Sequence, residues 1–396
     1  WFVSKFAVAA VLAGAGGQAD AQPAEQEQTA EEIPLLEEIV VTSRRYEEQV
    51  QDVPMALNVM TPDFIEKHRI TSIDDIMDIT PGATFTFFNK VNPEASIRGI
   101  QSATPGNATS ESGVQLLVDD VVVSKDFMRA RPLFDLQRVE VLRGPQGTAF
   151  GRNASLGAVH FITNRPTRDF EAGVKATAGV RDLFEAEGYI SGPLSDSLSA
   201  RFAFNFDTYS GDTEDAITGQ GLGGTENFAF RASLLYEPSD DFSVFVKGEY
   251  FQDNDDSPVR RSADSSIPQI LAVDDPRRCA NSPDDTNCFD VPNMPPFPIT
   301  FGDPSDPFKT RVSDADLFFD REIWSLSTEI VWQVADGIHL TSVTAYQEGK
   351  SSGRQDILGT PVDIGFQENS NSGWTVTEEI RIDNQASGDR FRWLAG

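Results

Sequence analysis

The chain has 396 residues, 62 acidic against 32 basic, a formal net charge of -30 and 28 phenylalanines. A surface that acidic has the wrong sign for a nucleic-acid partner, whose phosphates need a basic one. The length allows more than one domain, and so much Phe in a chain with 24% charged residues points to many short amphipathic segments rather than one large core.

Residues 1–21 read as a secretory signal peptide. Lys5 supplies a thin basic start, Phe6 to Gly17 is apolar and small, and Ala19-Asp20-Ala21 is an A-x-A cleavage site. The rival reading is a membrane anchor, but the apolar run of about 12 residues is shorter than the roughly 20 a spanning helix needs. Residues 22–48 read as a disordered leader, rich in Gln, Glu and Ala up to residue 37. Within it, Glu38-Ile39-Val40-Val41-Thr42 is a short β-prone run flanked by charge.

Residues 49–166 read as a small mixed α/β domain. A strand is expected over Val53–Met60, and Thr61-Pro62 opens a helix through His68 with Pro at its first position. Ser72 and Asp75 open a second helix, stopped by Pro81-Gly82. Strands are expected near 83–88, 95–100, 114–118 and 121–123, with Asp119-Asp120 at the turn between the last two, where Asp is ordinary turn chemistry. The run RVEVLRGPQGTAFGRN follows at 138–153. Val139, Val141 and Leu142 form a buried strand ended by Gly144-Pro145. Gly147, Gly151 and Gly157 then let the backbone bend where no Cβ would fit, before a second apolar strand, Gly157 to Thr163.

From residue 167 the pattern changes to long segments of period two. Leu198, Ala200, Phe202, Phe204 and Phe206 share one face; Ser199, Arg201, Ala203, Asn205 and Asp207 share the other. Segments at 227–237, 324–334 and 375–383 repeat the alternation, which puts Arg231, Glu329 and Glu379 on polar faces. A transmembrane β-barrel requires this pattern, and a soluble sandwich with its apolar faces inward would also satisfy it. Loop lengths separate the two. Short connections at 192–197, 237–241, 334–337 and 386–389 alternate with long polar ones at 210–226, 253–320 and 351–372, as in outer-membrane barrels with short turns on one side and long loops on the other.

Cys279 and Cys288 lie in a Pro/Asp-rich loop; an exported chain favours a local disulfide there over metal binding. His68, His160 and His339 are dispersed and form no metal-ligand spacing, so no metal and no cofactor are expected. Gly144–Gly151 lacks the spacing and Lys of a phosphate-binding loop, and neither a G-x-S-x-G elbow nor an HExxH pair occurs. Nothing in the sequence suggests an enzyme.

The run from Arg138 to Asn153, continued by Gly157-Ala158-Val159-His160-Phe161-Ile162-Thr163, resembles the plug of a TonB-dependent outer-membrane receptor, and the resemblance covers nearly the whole chain. It implies a mixed α/β plug domain (49–166) followed by an antiparallel transmembrane β-barrel. Residues 167–396 would be the N-terminal part of that barrel, roughly nine strands of a wall in which about 22 are expected. Because Arg390–Gly396 runs into what reads as a strand and stops, the barrel is expected to be incomplete, from a fragment or a truncated gene, and unable to insert as written.

The resemblance also assigns roles. Glu38, Ile39, Val40, Val41 and Thr42 resemble a TonB box, which would add a strand to the periplasmic energising protein TonB. Gly99, Gly144, Gly147, Gly151 and Gly157 would be the plug's structural glycines, and the family usually has Gly where Asp120 stands. In the family, the arginines of Ser96-Ile97-Arg98-Gly99 and Leu142-Arg143-Gly144-Pro145 pair with glutamates of the inner barrel wall. Glu379-Ile380-Arg381 matches a family barrel motif. Arg98, Arg143, Glu329 and Glu379 are therefore expected to form a charge cluster, the alternative being diffuse lumenal partners.

The implied function is energy-coupled import across the outer membrane of a Gram-negative bacterium. The ligand would be scarce, most often in this family a ferric siderophore, met around residues 88–94 and 101–113 and by the long loops. Alternatives are a glycan, a cobalamin or another organic nutrient on the same fold. More distant ones are a passive porin and a soluble secreted β-rich binding protein.

Overall fold

The computed structural model describes residues 40–42, 45, 48–87, 93–101, 112–151, 153–215, 219, 221–256, 309–310, 317–356, 366–384 and 393–396. The expected signal peptide, Glu38 and Ile39, the Cys279/Cys288 pair and most of the expected ligand apices lie outside them.

The described chain opens with a two-stranded antiparallel ribbon of β1 (Val40–Val41) and β2 (Glu48–Gln49). Then come β3 (Ala56–Met60), α1 (Pro62–Lys67), α2 (Ile73–Asp78), β4 (Ala83–Phe87), β5 (Pro93–Ile97) and β6 (Ile100–Gln101). The plug is completed by β7 (Val114–Val118), β8 (Val121–Val122), β9 (Leu136–Arg143), α3 (Gly147–Phe150) and β10 (Gly157–Thr163). Its central sheet has the order β3-β9-β10-β7-β8, and β10–β7 is a parallel pair. Strands β4, β5 and β6 form a second small sheet.

Local signals placed these elements well. Pro62 is the first residue of α1, and the Asp75 carboxylate accepts from the backbone N–H of Ser72 (3.0 Å) at the start of α2. Strand β3 starts at Ala56 rather than Val53, after Pro54, which has no N–H to give a ladder. The expected 95–100 strand is β5, a turn with Arg98 at φ 57 and Gly99 at φ 73, and then β6. Helix α3 was not expected. It ends at Gly151, whose φ of 75 an L side chain rarely adopts.

A nine-stranded antiparallel sheet follows. Its members are β11 (Glu171–Ala178), β12 (Phe184–Ser195), β13 (Leu198–Tyr209), β16 (Thr225–Ser239), β17 (Phe242–Asp255), β19 (Phe318–Ala335), β20 (Ile338–Asp356), β21 (Phe366–Asn384) and β22 (Leu394–Ala395), adjacent in that order. Three short strands in the long connections, β14 (Thr213–Asp215), β15 (Gly221–Leu222) and β18 (Lys309–Thr310), form a sheet of their own. The connection expected at 351–372 is shorter, because β20 and β21 stay paired from Ile338↔Asn384 to Asp356↔Phe366.

The sheet is inside out for a soluble protein. On β13, Arg201 is 6% exposed and Phe202 beside it 44%. Trp324, Leu326, Ile330 and Trp332 are also exposed, while their inward neighbours Ile323 and Ser327 are buried. An apolar outer face with buried polar residues behind it is the polarity of a wall in lipid. Trp324 and Trp332 stand eight positions apart on β19, about 26 Å along the strand and, at the usual tilt of a barrel strand, roughly 19 Å along the membrane normal, within the height of a barrel's apolar band. No helix among the described residues is long and apolar enough to cross a membrane.

The plug's core, including Ile73, Met77, Ile97, Val139, Val141, Val159 and Phe161, is continuous with inward wall residues Ala203, Ala229, Phe251, Phe319 and Ile323. Plug and wall share one apolar core on that side and meet through charge elsewhere.

Candidate functional site: the plug–wall seam

The β7–β8 hairpin turns on two residues, Asp119 and Asp120, with Val118 paired to Val121. Their φ angles, 47 and 67, are both left-handed, the twist-matched geometry of a two-residue hairpin, which Asp tolerates better than most side chains. Asp120 thus holds a left-handed backbone geometry. Its charge partners hold it there.

Asp119 accepts from the backbone N–H (2.8 Å) and hydroxyl (2.6 Å) of Thr163 on β10, and from the ammonium of Lys247 on wall strand β17. Asp120 is gripped by Arg45 from the N-terminal segment and by Arg381 from wall strand β21 (3.1 Å). Arg45 reaches on to Glu379 (2.8 Å) and to the carbonyl of Ala149 (3.1 Å), with its guanidinium over the Phe150 ring. Arg381 also bonds Glu379 (3.0 Å). Burial pushes both aspartates up, but Lys247 and Thr163 hold Asp119 below the usual carboxylate range, and Arg45 and Arg381 hold Asp120 well below it. The backbone N–H of Asp120 donates to His160 Nε2 (3.1 Å). Burial lowers the pKa of His160 against the pull of Asp120, so the ring is neutral, as an accepting Nε2 requires.

A second node is Asp135, just before β9. Arg201 on β13 grips its carboxylate with Nε (2.9 Å) and Nη2, and Asn164 adds a bond at 2.9 Å. Arg231 on β16 donates to the carbonyls of Phe134 (3.1 Å) and Asp135 (3.3 Å) and through Nε to Glu249 (2.8 Å). Glu249 in turn accepts from plug residue Arg131 (3.2 Å). Two further ties close the seam: Arg321 donates to the carbonyl of Phe127 (2.8 Å), and Arg165 to Glu329 (2.7 Å). Apart from Arg165, whose side chain is partly exposed, these partners are buried or nearly so, where a lone charge would be costly, so each depends on the other.

Glu329 and Glu379 do face plug-side arginines, but the partners are Arg165 and Arg45, not Arg98 and Arg143. Arg143 ends β9 inside the plug sheet, opposite Ala56 and Gly157, and its guanidinium meets Pro81 O (3.2 Å) and Asn58 Oδ1 (3.4 Å). Arg98 sits in an exposed turn with its backbone N–H on Gly82 O. Among the expected glycines, Gly157 has the tightest surroundings: a Cβ there would meet Leu142 O at 2.3 Å and Ile97 Cδ1 at 2.6 Å. A Cβ at Gly147 would meet nothing within 4 Å, so that position does not need glycine for space.

The seam runs both ways, with wall cations on plug acids as well as the reverse. Arg201 and Arg231 already lie on polar faces by alternation, a signal that could have marked them. Nothing local marks Asp135 or Lys247.

The described part of the 38–42 segment is docked. Val41 is fully buried in the ribbon, and the Thr42 N–H donates to Glu140 (3.0 Å), itself held by Arg138 (2.8 Å). Beside the seam, a cavity of about 1180 Å³ separates α1 and the 130–136 segment from β11–β13. It is spanned at its exposed side by Arg69–Glu185 (3.2 Å) and Lys175–Glu66 (3.3 Å).

The family model for the TonB-dependent Receptor Plug Domain matches residues 49–158. The vitamin B12 transporter BtuB of Vibrio vulnificus is 27% identical over 225 residues, 55% of this chain and 36% of that protein. The iron-regulated outer membrane virulence protein of Vibrio cholerae is 24% identical over 241 residues, 58% of this chain and 36% of that protein. The crystal structure of the ferric yersiniabactin uptake receptor FyuA from Yersinia pestis superposes with a TM-score of 0.65 at 19% identity, covering 86% of this chain and 47% of that one. The chain thus spans about a third of the length of these curated relatives. Residues 49–158 are thus a TonB-dependent receptor plug domain, and the nine-stranded antiparallel sheet behind it has the fold of part of a TonB-dependent outer-membrane receptor barrel.

Proposed function

We propose that this chain belongs to an energy-coupled importer of a ferric siderophore, in which TonB pulls on residues 38–42 and shifts the plug against the wall. The observation that carries this is the plug–wall seam. Paired charges are directional yet exchange with water once opened, so the plug is held firmly and is still releasable. A passive pore has no use for a lumen filled in this way. Strand addition at Val40–Val41 requires the ribbon to undock first, because Val41 is buried in it. The cavity beside α1 is the natural start of a path, with exposed ion pairs that open at little cost.

Iron is favoured by the relatives' names, which include an iron-regulated protein and a ferric yersiniabactin receptor. Cobalamin is the second reading, favoured by the B12 transporter among the matches. The test is uptake of radiolabelled iron from a panel of ferric siderophores, and of labelled cobalamin, by cells carrying the full-length receptor with and without residues 38–42. Import that disappears with the segment supports the proposal. Import that survives its removal means a passive pore.

A further inference from the structure

The charges around Asp120 are balanced as they stand. Two cations, Arg45 and Arg381, face two anions, Asp120 and Glu379, in a cluster that is buried except at Glu379, which is partly exposed. The neighbouring charges are matched among themselves: Asp119 with Lys247 from β17, Glu140 with Arg138 on β9, and Glu329 with Arg165. Among the described residues, His160 on β10 is the remaining titratable group at the cluster. It is 2% exposed, packed edge-on to Phe150, with Nε2 3.5 Å from Asp120 Oδ1.

We infer that His160 is the trigger of a proton-operated latch: its protonation releases Arg45, and with it the N-terminal segment, from Asp120 and Glu379. A protonated ring carries a hydrogen on Nε2. It can no longer accept from the Asp120 N–H, and it turns that hydrogen on the Oδ1 oxygen that Arg45 uses. The cluster then holds three cations against two anions in a buried site, and shedding one cation restores the balance. Arg381 is fixed within the 19-residue strand β21, whereas Arg45 lies on a segment tied by the two-residue ribbon β1–β2. Arg45 is the one that leaves. The neutral ring at rest, favoured by burial, is the latched state. That release of the segment serves transport rests on the function proposed above; the latch itself does not.

The test uses the full-length receptor in lipid vesicles, with Cys279→Ser and Cys288→Ser, and a nitroxide attached through Val40→Cys. The mobile fraction of the label is expected to rise about threefold as pH falls from about 7.5 to about 5.5, across the histidine range. In His160→Gln the rise is expected to be lost. Asp120→Asn creates the same cation excess without a proton and is expected to give a mobile label already at neutral pH. Should His160→Gln fail to fold, Asp120→Asn and the native titration still decide. A native label that stays immobile across this range, a transition that persists in His160→Gln, or an immobile label in Asp120→Asn would each overturn the latch. Uptake with and without residues 38–42 reports separately on the transport reading. A working latch in a receptor indifferent to that deletion would sink the reading and spare the latch.

Discussion

Arg201 on the wall and Asp135 on the plug are locked by two parallel N–H donors, Nε at 2.9 Å and Nη2 beside it, with both side chains almost wholly buried. The two residues belong to different elements, one of the plug and one of the wall. The pair therefore couples the plug's position to the wall directly.

Removing Arg201 leaves the buried Asp135 carboxylate with only Asn164 and the more distant Arg231. Arg201→Ala is expected to weaken plug retention by about 3–5 kcal/mol. Pairing it with Asp135→Ala is expected to recover part of that loss, since a coupled pair is non-additive. The urea dependence of plug exposure, read by cysteine labelling inside intact barrels, measures both.

The wall's polarity gives a test on the opposite face. Leu326 is exposed between Trp324 and Trp332, one outward position from Trp324, and Leu326→Arg is expected to cost about 1–2 kcal/mol of membrane insertion because it lies on the lipid face between the rim and the midplane. Leu326→Val should be nearly silent. Folding yield into vesicles discriminates them. A water-soluble sandwich would tolerate the arginine.

Two glycines of the same motif separate space from habit. Gly157→Ala is expected to destabilise the plug by about 1–3 kcal/mol, since the new Cβ overlaps the Leu142 carbonyl and Ile97, which must shift. Gly147→Ala, inside α3 with open space around it, is expected to be neutral or slightly stabilising. Thermal melting of the plug measures the contrast.

Acid sensitivity has a definite sign. The pKa of Asp119 is lowered by folding, so its contribution is complete above its unfolded value near 3.8 and is lost as pH falls through the folded one. His160, also lowered, contributes fully above about 6.5 and less as pH drops toward its folded value. Asp119→Asn is expected to lose stability less steeply than the native plug below about pH 4. Denaturation midpoints against pH follow this directly. Parallel slopes for the two proteins would show that the Lys247 pair contributes nothing.

What could be read without coordinates was what is local. The Ser72/Asp75 helix start and the alternation along Leu198–Phe206 each depend on neighbours in sequence, and each is present in the structure. The 351–372 region misled because Ser351, Gly353, Ser370 and Ser372 are weak strand formers. Pairing with the adjacent strand overrides their propensity. The seam was half legible. Alternation put Glu329 and Glu379 on the lumen side, but which arginine meets them depends on how the plug is seated, a relationship between residues hundreds apart. Asp119-Asp120 is the turn the sequence suggested. Its charge role appears only when Lys247 and Arg381 are brought across from the wall.

The most direct measurement ties the plug to the wall and asks whether transport stops. Ser124 Oγ on the plug donates to Thr375 Oγ1 on β21 at 3.0 Å, so Ser124→Cys with Thr375→Cys can form a disulfide across the seam in a receptor with its own cysteines replaced. In cells whose uptake of a radiolabelled ferric siderophore depends on this receptor, oxidation is expected to abolish uptake and reduction to restore it. Undiminished uptake with the tether shown to be formed would contradict a plug that must move against the wall.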